Sequence, residues 1–297
     1  MKKSSDKPIL LGYTKEALDA EYDNRVKVAD AEDYFDFYIK ESASARKELP
    51  CKLDISYGPT TREKLDVFPA SERHQPAPVL IFIHGGYWRA FSKNESSFVA
   101  RGFVSAGVAV VLIGYTLIPN VNMDELVEQC RKAVAWTWRN ADSFGGDQNR
   151  IYVSGHSAGG HLTGMMMATD WEAWDGLPSD IIKGGCGISG IYDLEPIRLC
   201  YLNEDLKLTP GEVDRNSPVR IRPNCPAKLL LAVGGLEGPE YLRQSQEMAS
   251  AWRDQGCDTE VLVMRDIHHF SIITQFKNQN EELTRSILEL VEIKQSR

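Results

Sequence analysis

The chain of 297 residues carries a formal net charge of −8, and 42% of its residues are hydrophobic. This length and hydrophobic content are enough to bury a large core, in one large α/β domain or in two small domains. Nucleic acids and anionic membrane surfaces attract basic patches, so the acidic balance argues against both as the main partner. A small molecule is therefore the expected partner, and the sequence leaves assembly into a homo-oligomer open.

The sequence contains no apolar run with the length of a signal peptide or a membrane span, which predicts a cytoplasmic protein. No HExxH or paired-cysteine zinc motif is present, and His156 and His161 have a poor spacing for two ligands on one helix face, so no metal site is predicted. Because the cysteines show no C-x-x-C spacing, most of them are expected to be buried free thiols. The six cysteines are Cys51, Cys130, Cys186, Cys200, Cys225 and Cys257.

In chain order, the sequence first predicts one or two acidic helices in residues 14–44 and an antiparallel hairpin in residues 45–70. Beyond them, continuous apolar runs alternate with amphipathic stretches, the pattern of a parallel sheet covered by helices on both faces. The apolar runs predict strands at 79–86, 108–115, 150–157, 184–190, 228–235 and 259–266. Helices are predicted at 94–106, 123–141, 158–169, 240–255 and 279–295, with Asn122 or Asp124 as the N-cap of the second.

Residues 192–226 form a long, proline-punctuated segment that is only partly helical in pattern. Long irregular segments in compact domains are often functional, so this one is predicted to be a small cap over the carboxyl edge of the sheet. No linker or repeat divides the chain. The predicted organisation is thus one α/β domain over residues 1–297, with residues 1–44 as an N-terminal helical extension.

The stretch GHSAGGH, residues 155–161, contains the pattern G-x-S-x-G around Ser157. In that pattern the serine lies on a sharp turn from strand to helix, with its hydroxyl exposed. An apolar strand precedes this motif and a helix rich in alanine and methionine follows it, which is the context that the pattern needs. Ser157 is therefore predicted to be a nucleophile. The alternative is a passive serine in a glycine-rich loop.

A second motif, HGGYW at residues 84–88, follows an apolar strand. Hydrolases with a serine on such a turn place backbone N–H donors at this position, where they bind the oxyanion of a tetrahedral intermediate. We predict that the N–H groups of Gly85, Gly86 and Ala158 form this oxyanion hole. His84 is expected to hold the loop by hydrogen bonds.

The aromatic residues that follow, Tyr87 and Trp88, are predicted to form walls of the substrate pocket because they come directly after the oxyanion loop. Ordinary core positions are the alternative for both. Tyr115 and Asn203 are also predicted to line the pocket.

A serine hydroxyl needs a base to take its proton and a carboxylate to orient that base. His268 and His269 both follow the last predicted strand and are candidates for the base. Glu237 follows a buried strand and is the first candidate for the acid, because the expected chain order is serine, acid, histidine. Asp193, after the preceding strand, and Glu240 are its competitors.

These motifs occur in the order HGGYW, GHSAGGHL, SGIYDLEPI, YLNEDLKL, VGGLEGPEYLRQS and HHFSII, over residues 50–280. In this combination the sequence resembles the kynurenine formamidase (arylformamidase) branch of the α/β-hydrolase fold. The resemblance implies that Ser157 is the nucleophile, Glu237 the acid and His269 the base, so that His268 has no catalytic role. Two departures mark a divergent member, since the family usually has aspartate at the position of Glu237 and often at that of Ser271.

The implied chemistry is hydrolysis through a covalent acyl-enzyme, for which no cofactor is needed. The resemblance favours an amidase that removes a formyl or other acyl group from an aromatic amine, so that the small-molecule substrate is an aromatic amide or ester. The shared HGG and GHSAGG elements also fit a carboxylesterase of broader acyl range. A non-catalytic binding protein on the same scaffold is the third hypothesis.

Overall fold

A single mixed sheet runs through the computed structural model, which describes residues 7–224 and 227–292. The strands are β1 (Lys52–Ser56), β2 (Lys64–Phe68), β3 (Ala77–Ile83), β4 (Ala109–Ile113), β5 (Gly146–His156), β6 (Gly184–Ile188), β7 (Lys228–Gly234) and β8 (Thr259–Met264). Their order in the sheet is β1-β2-β4-β3-β5-β6-β7-β8. β2 is antiparallel to both β1 and β4, whereas all the other neighbours are parallel.

Every strand predicted from an apolar run is present, and β1 and β2 form the hairpin predicted within residues 45–70. The main difference lies at the carboxyl ends of the strands. β3 ends at Ile83, so the glycines of HGGYW belong to the loop that follows it and not to the strand predicted at 79–86. The parallel strands therefore direct their carboxyl ends, and the glycine-rich loops after them, to one edge of the sheet.

Helices cover both faces of this sheet. They are α1 (Lys15–Tyr22), α2 (Asn24–Lys27), α3 (Ala31–Glu48), α4 (Ala100–Val104), α5 (Met123–Asn140), α6 (Ala158–Ala168), α7 (Trp171–Asp175), α8 (Glu195–Leu199), α9 (Asn203–Leu206), α10 (Pro210–Asn216), α11 (Pro239–Arg253) and α12 (Glu282–Leu290). Short 3-10 turns occur at Glu72–His74, Lys93–Val99, Ala141–Phe144, Pro218–Arg220 and Ile272–Lys277.

The predicted long helices correspond to α5, α6, α11 and α12, while the helix predicted at 94–106 is divided between a 3-10 turn and α4. Asn122 is the N-cap of α5: its side chain accepts a hydrogen bond from the N–H of Glu125, whose carboxylate accepts from the N–H of Asn122 in return. The end of the helix predicted at 279–295 lies outside the described residues, as does Cys225.

Alternate residues of the central strands pack into two separate cores. In β3, for example, Val79 and Ile81 join the core on one face of the sheet, whereas Leu80 and Phe82 join the core on the other. This is the period-two pattern of a strand that is buried on both faces. It explains why the apolar runs in the sequence are continuous.

The N-terminal region and residues 192–224 lie outside this regular framework. Residues 14–44 were expected to form one or two helices, and the structure has α1 and α2 followed by α3, which extends to Glu48. Residues 192–224 contain α8, α9, α10 and a 3-10 turn, in keeping with the partly helical pattern of the sequence. The five cysteines within the described ranges are free thiols, and all but Cys51 are buried.

The described part of the chain lacks two features. No helix within it is both long enough and apolar enough to cross a lipid bilayer. It also contains no group of three or more His, Cys, Asp or Glu side chains that could hold a metal ion.

Candidate active site

Ser157 lies between the end of β5 and the start of α6, with φ of 57° and ψ of −117°. A positive φ is strained for a residue with a side chain, and the neighbouring strand holds the turn through a 2.8 Å hydrogen bond from the Ser157 N–H to the carbonyl oxygen of Ile188. A Cβ on Gly155 would lie 2.3 Å from the carbonyl oxygen of Gly159, and a Cβ on Gly159 would lie 1.9 Å from that of Ile83. The sharp turn therefore requires both glycines.

Buried side chains from three loops form a hydrogen-bonded series beside this turn. Oγ of Ser157 lies 3.1 Å from Nε2 of His269, and Nδ1 of His269 lies 2.6 Å from Oε2 of Glu237. The other carboxylate oxygen, Oε1, accepts hydrogen bonds of 2.6 Å from the Ser189 hydroxyl and from the Gly234 N–H. Because a carboxylate only accepts, Nδ1 of His269 carries the proton and Nε2 is left to accept the proton of Ser157.

The competing acids and the second histidine have other partners. Asp193 forms an ion pair of 2.8 Å with Arg220. Glu240 accepts a hydrogen bond from the Tyr22 hydroxyl at 2.9 Å and is paired with an arginine one turn along α11. Nδ1 of His268 accepts from the backbone N–H groups of the two loop residues after His269. Of the acidic candidates, Glu237 is the one in contact with an imidazole.

The loop between β3 and α4 places Gly85 and Gly86 beside the serine turn. A Cβ on Gly85 would lie 2.8 Å from the carbonyl oxygen of His156, and one on Gly86 would lie 2.2 Å from that of Ala90. Within residues 7–224 and 227–292, the N–H groups of Gly85, Gly86 and Ala158 find no hydrogen-bond acceptor. Free backbone donors next to a serine hydroxyl are suited to binding an oxyanion.

Two further buried histidines hold these loops in place. Nδ1 of His84 donates to the carbonyl oxygen of Gly85 at 2.8 Å, as the sequence predicted, and its ring stacks on Tyr115 at a centroid distance of 4.2 Å. Nε2 of His156 donates to the carbonyl oxygen of His269 at 2.8 Å. Burial lowers the pKa of His84 to about 3 and that of His156 well below its usual range, so both rings are neutral at pH 7.

A cavity of about 310 Å³ reaches Ser157 and His269. Its walls come from the oxyanion loop, from the region of α2 and α3, and from the segment before α9. Many of the wall residues are aromatic: Phe35, Tyr38, Tyr87, Phe91, Tyr201 and Phe270. A pocket of this size and composition can hold a small aromatic molecule against the serine.

Known proteins are similar to this chain in both sequence and architecture. The BD-FAE family model matches residues 65–180. Kynurenine formamidase of Danio rerio is 37% identical over 252 residues, which are 83% of this chain and 84% of that protein. The chain belongs to the kynurenine formamidase family.

Solved structures have the same fold as this chain. A candidate thioesterase from Silicibacter sp. TM1040 is 31% identical to this family member, with a TM-score of 0.81 over 90% of this chain and 97% of that one. At 16% identity, an esterase of Pyrobaculum calidifontis has the same fold, with a TM-score of 0.70 over 90% of this chain and 95% of its own.

Together, the kynurenine formamidase relatives and the esterases confirm the predicted α/β-hydrolase fold. The kynurenine formamidase relatives also identify the chain as an enzyme that hydrolyses amides or esters. The hypothesis of a non-catalytic binding protein is therefore set aside.

The two aromatic residues of HGGYW have different positions in this kynurenine formamidase family member. Tyr87 lines the cavity, whereas Trp88 is fully buried and donates its indole N–H to Nδ1 of His161 at 3.1 Å. The prediction of a pocket wall is thus corrected for Trp88. The physical reason for the difference is the backbone turn, in which Gly86, Tyr87 and Trp88 have φ of 106°, 47° and 59°. This turn directs the side chain of Tyr87 to the cavity and that of Trp88 to the core.

The predictions for Tyr115 and Asn203 were wrong. The hydroxyl of Tyr115 donates to the carbonyl oxygen of His84 beneath the cavity, and Asn203 makes hydrogen bonds to the backbone of Leu208. Tyr201, two positions before Asn203, lines the cavity instead.

Sequence reasoning missed a polar network that links the N-terminal helices to the site. Asn24 is 5% exposed, and its amide group donates to the hydroxyls of Tyr87 at 3.0 Å and Tyr241 at 2.7 Å. The ring of Tyr241 lies 4.9 Å from that of His269, centroid to centroid. The PEY portion of VGGLEGPEYLRQS pointed to the neighbourhood of Tyr241, but no local pattern distinguished Asn24.

Proposed function

We propose that this enzyme removes the formyl group of an aryl formamide such as N-formyl-L-kynurenine, through a covalent formyl-enzyme on Ser157. The observation that carries this proposal is the buried series of Ser157, His269 and Glu237, with contacts of 3.1 Å and 2.6 Å, at the base of an aromatic cavity. The family membership supports the choice of an amide.

In the first step, His269 takes the hydroxyl proton of Ser157 as Oγ attacks the formyl carbon. Glu237 orients the imidazole and stabilises its positive charge. The carbonyl oxygen becomes an oxyanion and accepts hydrogen bonds from the N–H groups of Gly86 and Ala158, with Gly85 as a further donor. Removal of one such donor costs other enzymes about 3 kcal/mol of transition-state stabilisation.

In the second step, the tetrahedral intermediate collapses and the C–N bond breaks. His269 gives its proton to the leaving nitrogen, so that a neutral arylamine departs and a formyl ester remains on Ser157. Water then attacks this ester with His269 again as the base, which releases formate and restores the serine hydroxyl. The residues of the chain supply every proton transfer in this scheme.

The experiment that tests the proposal is turnover of N-formyl-L-kynurenine by the wild-type enzyme and by Ser157→Ala. We expect efficient deformylation by the wild type and loss of it in the variant, and labelling of Ser157 by a fluorophosphonate probe. Hydrolysis of p-nitrophenyl esters without deformylation would contradict the substrate but keep the nucleophile. Activity retained in Ser157→Ala would contradict the mechanism.

A carboxylesterase of broader acyl range is the second candidate. The esterase fold of Pyrobaculum calidifontis and the aromatic, largely apolar cavity favour it. The two candidates differ in the acyl group that they prefer, since a formamidase acts best on formyl and an esterase on longer chains. A series of p-nitrophenyl esters from formate to hexanoate separates them.

The same proposal extends to the organisation of the chain. We propose that the chain forms one hydrolase domain, in which described residues of the N-terminal extension (1–44) and of the cap segment (192–226) contribute to the walls of the pocket over the sheet. The positions of Asn24 and Tyr201 along the cavity support it. Free thiols at the described cysteines are in keeping with a cytoplasmic location, where the environment is reducing.

A further inference from the structure

The aromatic cavity has two opposite charges among its lining residues. Arg89 follows the oxyanion loop, and Asp23 is the N-cap residue of α2. Tyr201, which comes from the segment 192–226, lines the same cavity. The proposed formyl transfer uses none of these three side chains.

Contacts to one carbonyl group place Tyr201 beside residues that are close to Asp23 and Arg89 in the chain. The carbonyl oxygen of Tyr22, the neighbour of Asp23 in the chain, accepts a hydrogen bond from Tyr87 at 2.7 Å and lies 3.5 Å from the Tyr201 hydroxyl. Tyr87 in turn lies two positions before Arg89. Burial, followed by the negative charge of Asp23, raises the pKa of Tyr201 to about 12, and the positive charge of Arg89 opposes this rise. The charges of Asp23 and Arg89 therefore both act on the Tyr201 hydroxyl.

Both charged groups are available to a ligand. Arg89 is paired with Asp205, whose side chain is 59% exposed, and such exposed pairs contribute little to stability. One oxygen of Asp23 accepts from the N–H of Val26 at 3.2 Å, and in the described ranges its carboxylate has no cationic partner within 4 Å.

Among the described residues Arg89 has this one ion pair, whereas the other arginine along the cavity, Arg25, is held by two contacts. The guanidinium of Arg25 is bonded to Glu32 at 2.8 Å, and it lies 4.8 Å from the ring centroid of Phe35. An aromatic cavity that offers a guanidinium in a single exposed ion pair and a carboxylate is complementary to a molecule that joins a flat ring to a zwitterion.

We propose that Arg89 and Asp23, together with Tyr201, form a subsite for the α-amino acid group of the substrate's leaving amine. Arg89 binds the carboxylate and Asp23 binds the ammonium group. The subsite makes the enzyme select aryl amides that carry an amino acid group over neutral anilides. This inference rests on the proposed function only in placing the arylamine in the cavity.

The test measures binding of the product amine, so that it does not depend on turnover. L-kynurenine and 2-aminoacetophenone share the aromatic amine, but only the first carries the amino acid group. Calorimetry gives the Kd of each for the wild type, Arg89→Met, Asp23→Asn and the control Arg139→Met. Arg139 is also paired with an exposed aspartate but does not line this cavity, and asparagine can still cap α2 at position 23.

We expect the wild type to bind L-kynurenine more tightly than 2-aminoacetophenone. Arg89→Met and Asp23→Asn should each weaken binding of L-kynurenine about 10-fold, as loss of a charge-assisted hydrogen bond predicts, and leave the Kd of 2-aminoacetophenone within about 2-fold. Arg139→Met should change neither Kd.

Equal effects on the two ligands, or no preference for L-kynurenine in the wild type, would overturn the subsite. Efficient deformylation combined with either result would leave the proposed function standing. Conversely, binding of L-kynurenine that depends on Arg89, in an enzyme that cleaves no formamide, would support the subsite and contradict the proposed reaction.

Discussion

Replacement of Glu237 by glutamine tests the catalytic arrangement most directly. Oε1 of Glu237 accepts from both Ser189 and the Gly234 N–H, so the carbonyl oxygen of a glutamine is held at that position. The amide NH₂ must then face Nδ1 of His269, now 2.6 Å away from Oε2. Because an NH₂ group donates, Nδ1 has to accept, and the ring proton moves to Nε2.

This tautomer removes the base. Nε2 would direct its proton toward Oγ of Ser157, 3.1 Å away, and could not receive the proton of the hydroxyl. The same acid-to-amide change in a serine triad costs about 10⁴-fold in kcat, so we expect a loss of about 10³-fold to 10⁴-fold, or roughly 4 to 5.5 kcal/mol of transition-state stabilisation. Asp193→Asn, which removes the rival acid, should lose less than about 3-fold.

The assay is the rate of hydrolysis of p-nitrophenyl acetate and of N-formyl-L-kynurenine at pH 7.5, with circular dichroism to verify that each variant is folded. Titration of Ser157 with a fluorophosphonate gives the concentration of reactive sites. The reasoning is refuted if Glu237→Gln keeps more than about a tenth of the wild-type rate, or if Asp193→Asn is the more damaging change.

Three further outcomes are expected. Gly159→Ala should lower the free energy of unfolding by more than about 3 kcal/mol, because its Cβ would lie 1.9 Å from the carbonyl oxygen of Ile83. The control Gly211→Ala in α10 should be neutral or stabilising. Urea denaturation measures both variants, and equal stabilities would contradict the predicted clash. Asn24→Ala should cost about 2 kcal/mol of stability and also lower kcat, since the hydroxyls of Tyr87 and Tyr241 each lose the hydrogen bond that the Asn24 amide donates. An unchanged urea midpoint together with an unchanged kcat would argue against the network. Burial lowers the pKa of His161 from its usual 6.5 to about 4, so between these pH values the unfolded chain binds a proton that the folded chain does not. The free energy of unfolding, measured by urea denaturation, should therefore fall as the pH is lowered from about 6.5 to about 4. A rise over that interval would contradict the prediction.

Local sequence patterns predicted those parts of the structure in which neighbours in the chain are also neighbours in space. The apolar runs located every parallel strand, and GHSAGGH placed Ser157 on a strand-to-helix turn. By contrast, the sequence alone did not decide whether Glu237 or Asp193 is the acid that orients the histidine. Both follow buried strands, and only the three-dimensional structure shows that Glu237, and not Asp193, contacts the imidazole of His269.

Backbone conformation and distant contacts account for what the sequence could not show. Tyr87 and Trp88 are adjacent and similar in chemistry, yet a turn with positive φ directs one to the cavity and the other to the core. Asn24 meets Tyr241 across a separation of 217 positions, for which no spacing rule exists. The N-terminal extension therefore could be predicted as helices but not as a wall of the site.

That long separation also bears on how activity arises during folding. The wall contributed by α2 is bonded to Tyr241, and His269, the proposed base, comes later still in the chain. A nascent chain that ends after β5 and the serine turn therefore lacks both Tyr241, which bonds to Asn24 in the pocket wall, and His269, the proposed proton acceptor. Contacts of such high sequence separation form slowly, so the pocket and the reactive serine should mature together, after most of the sheet has assembled.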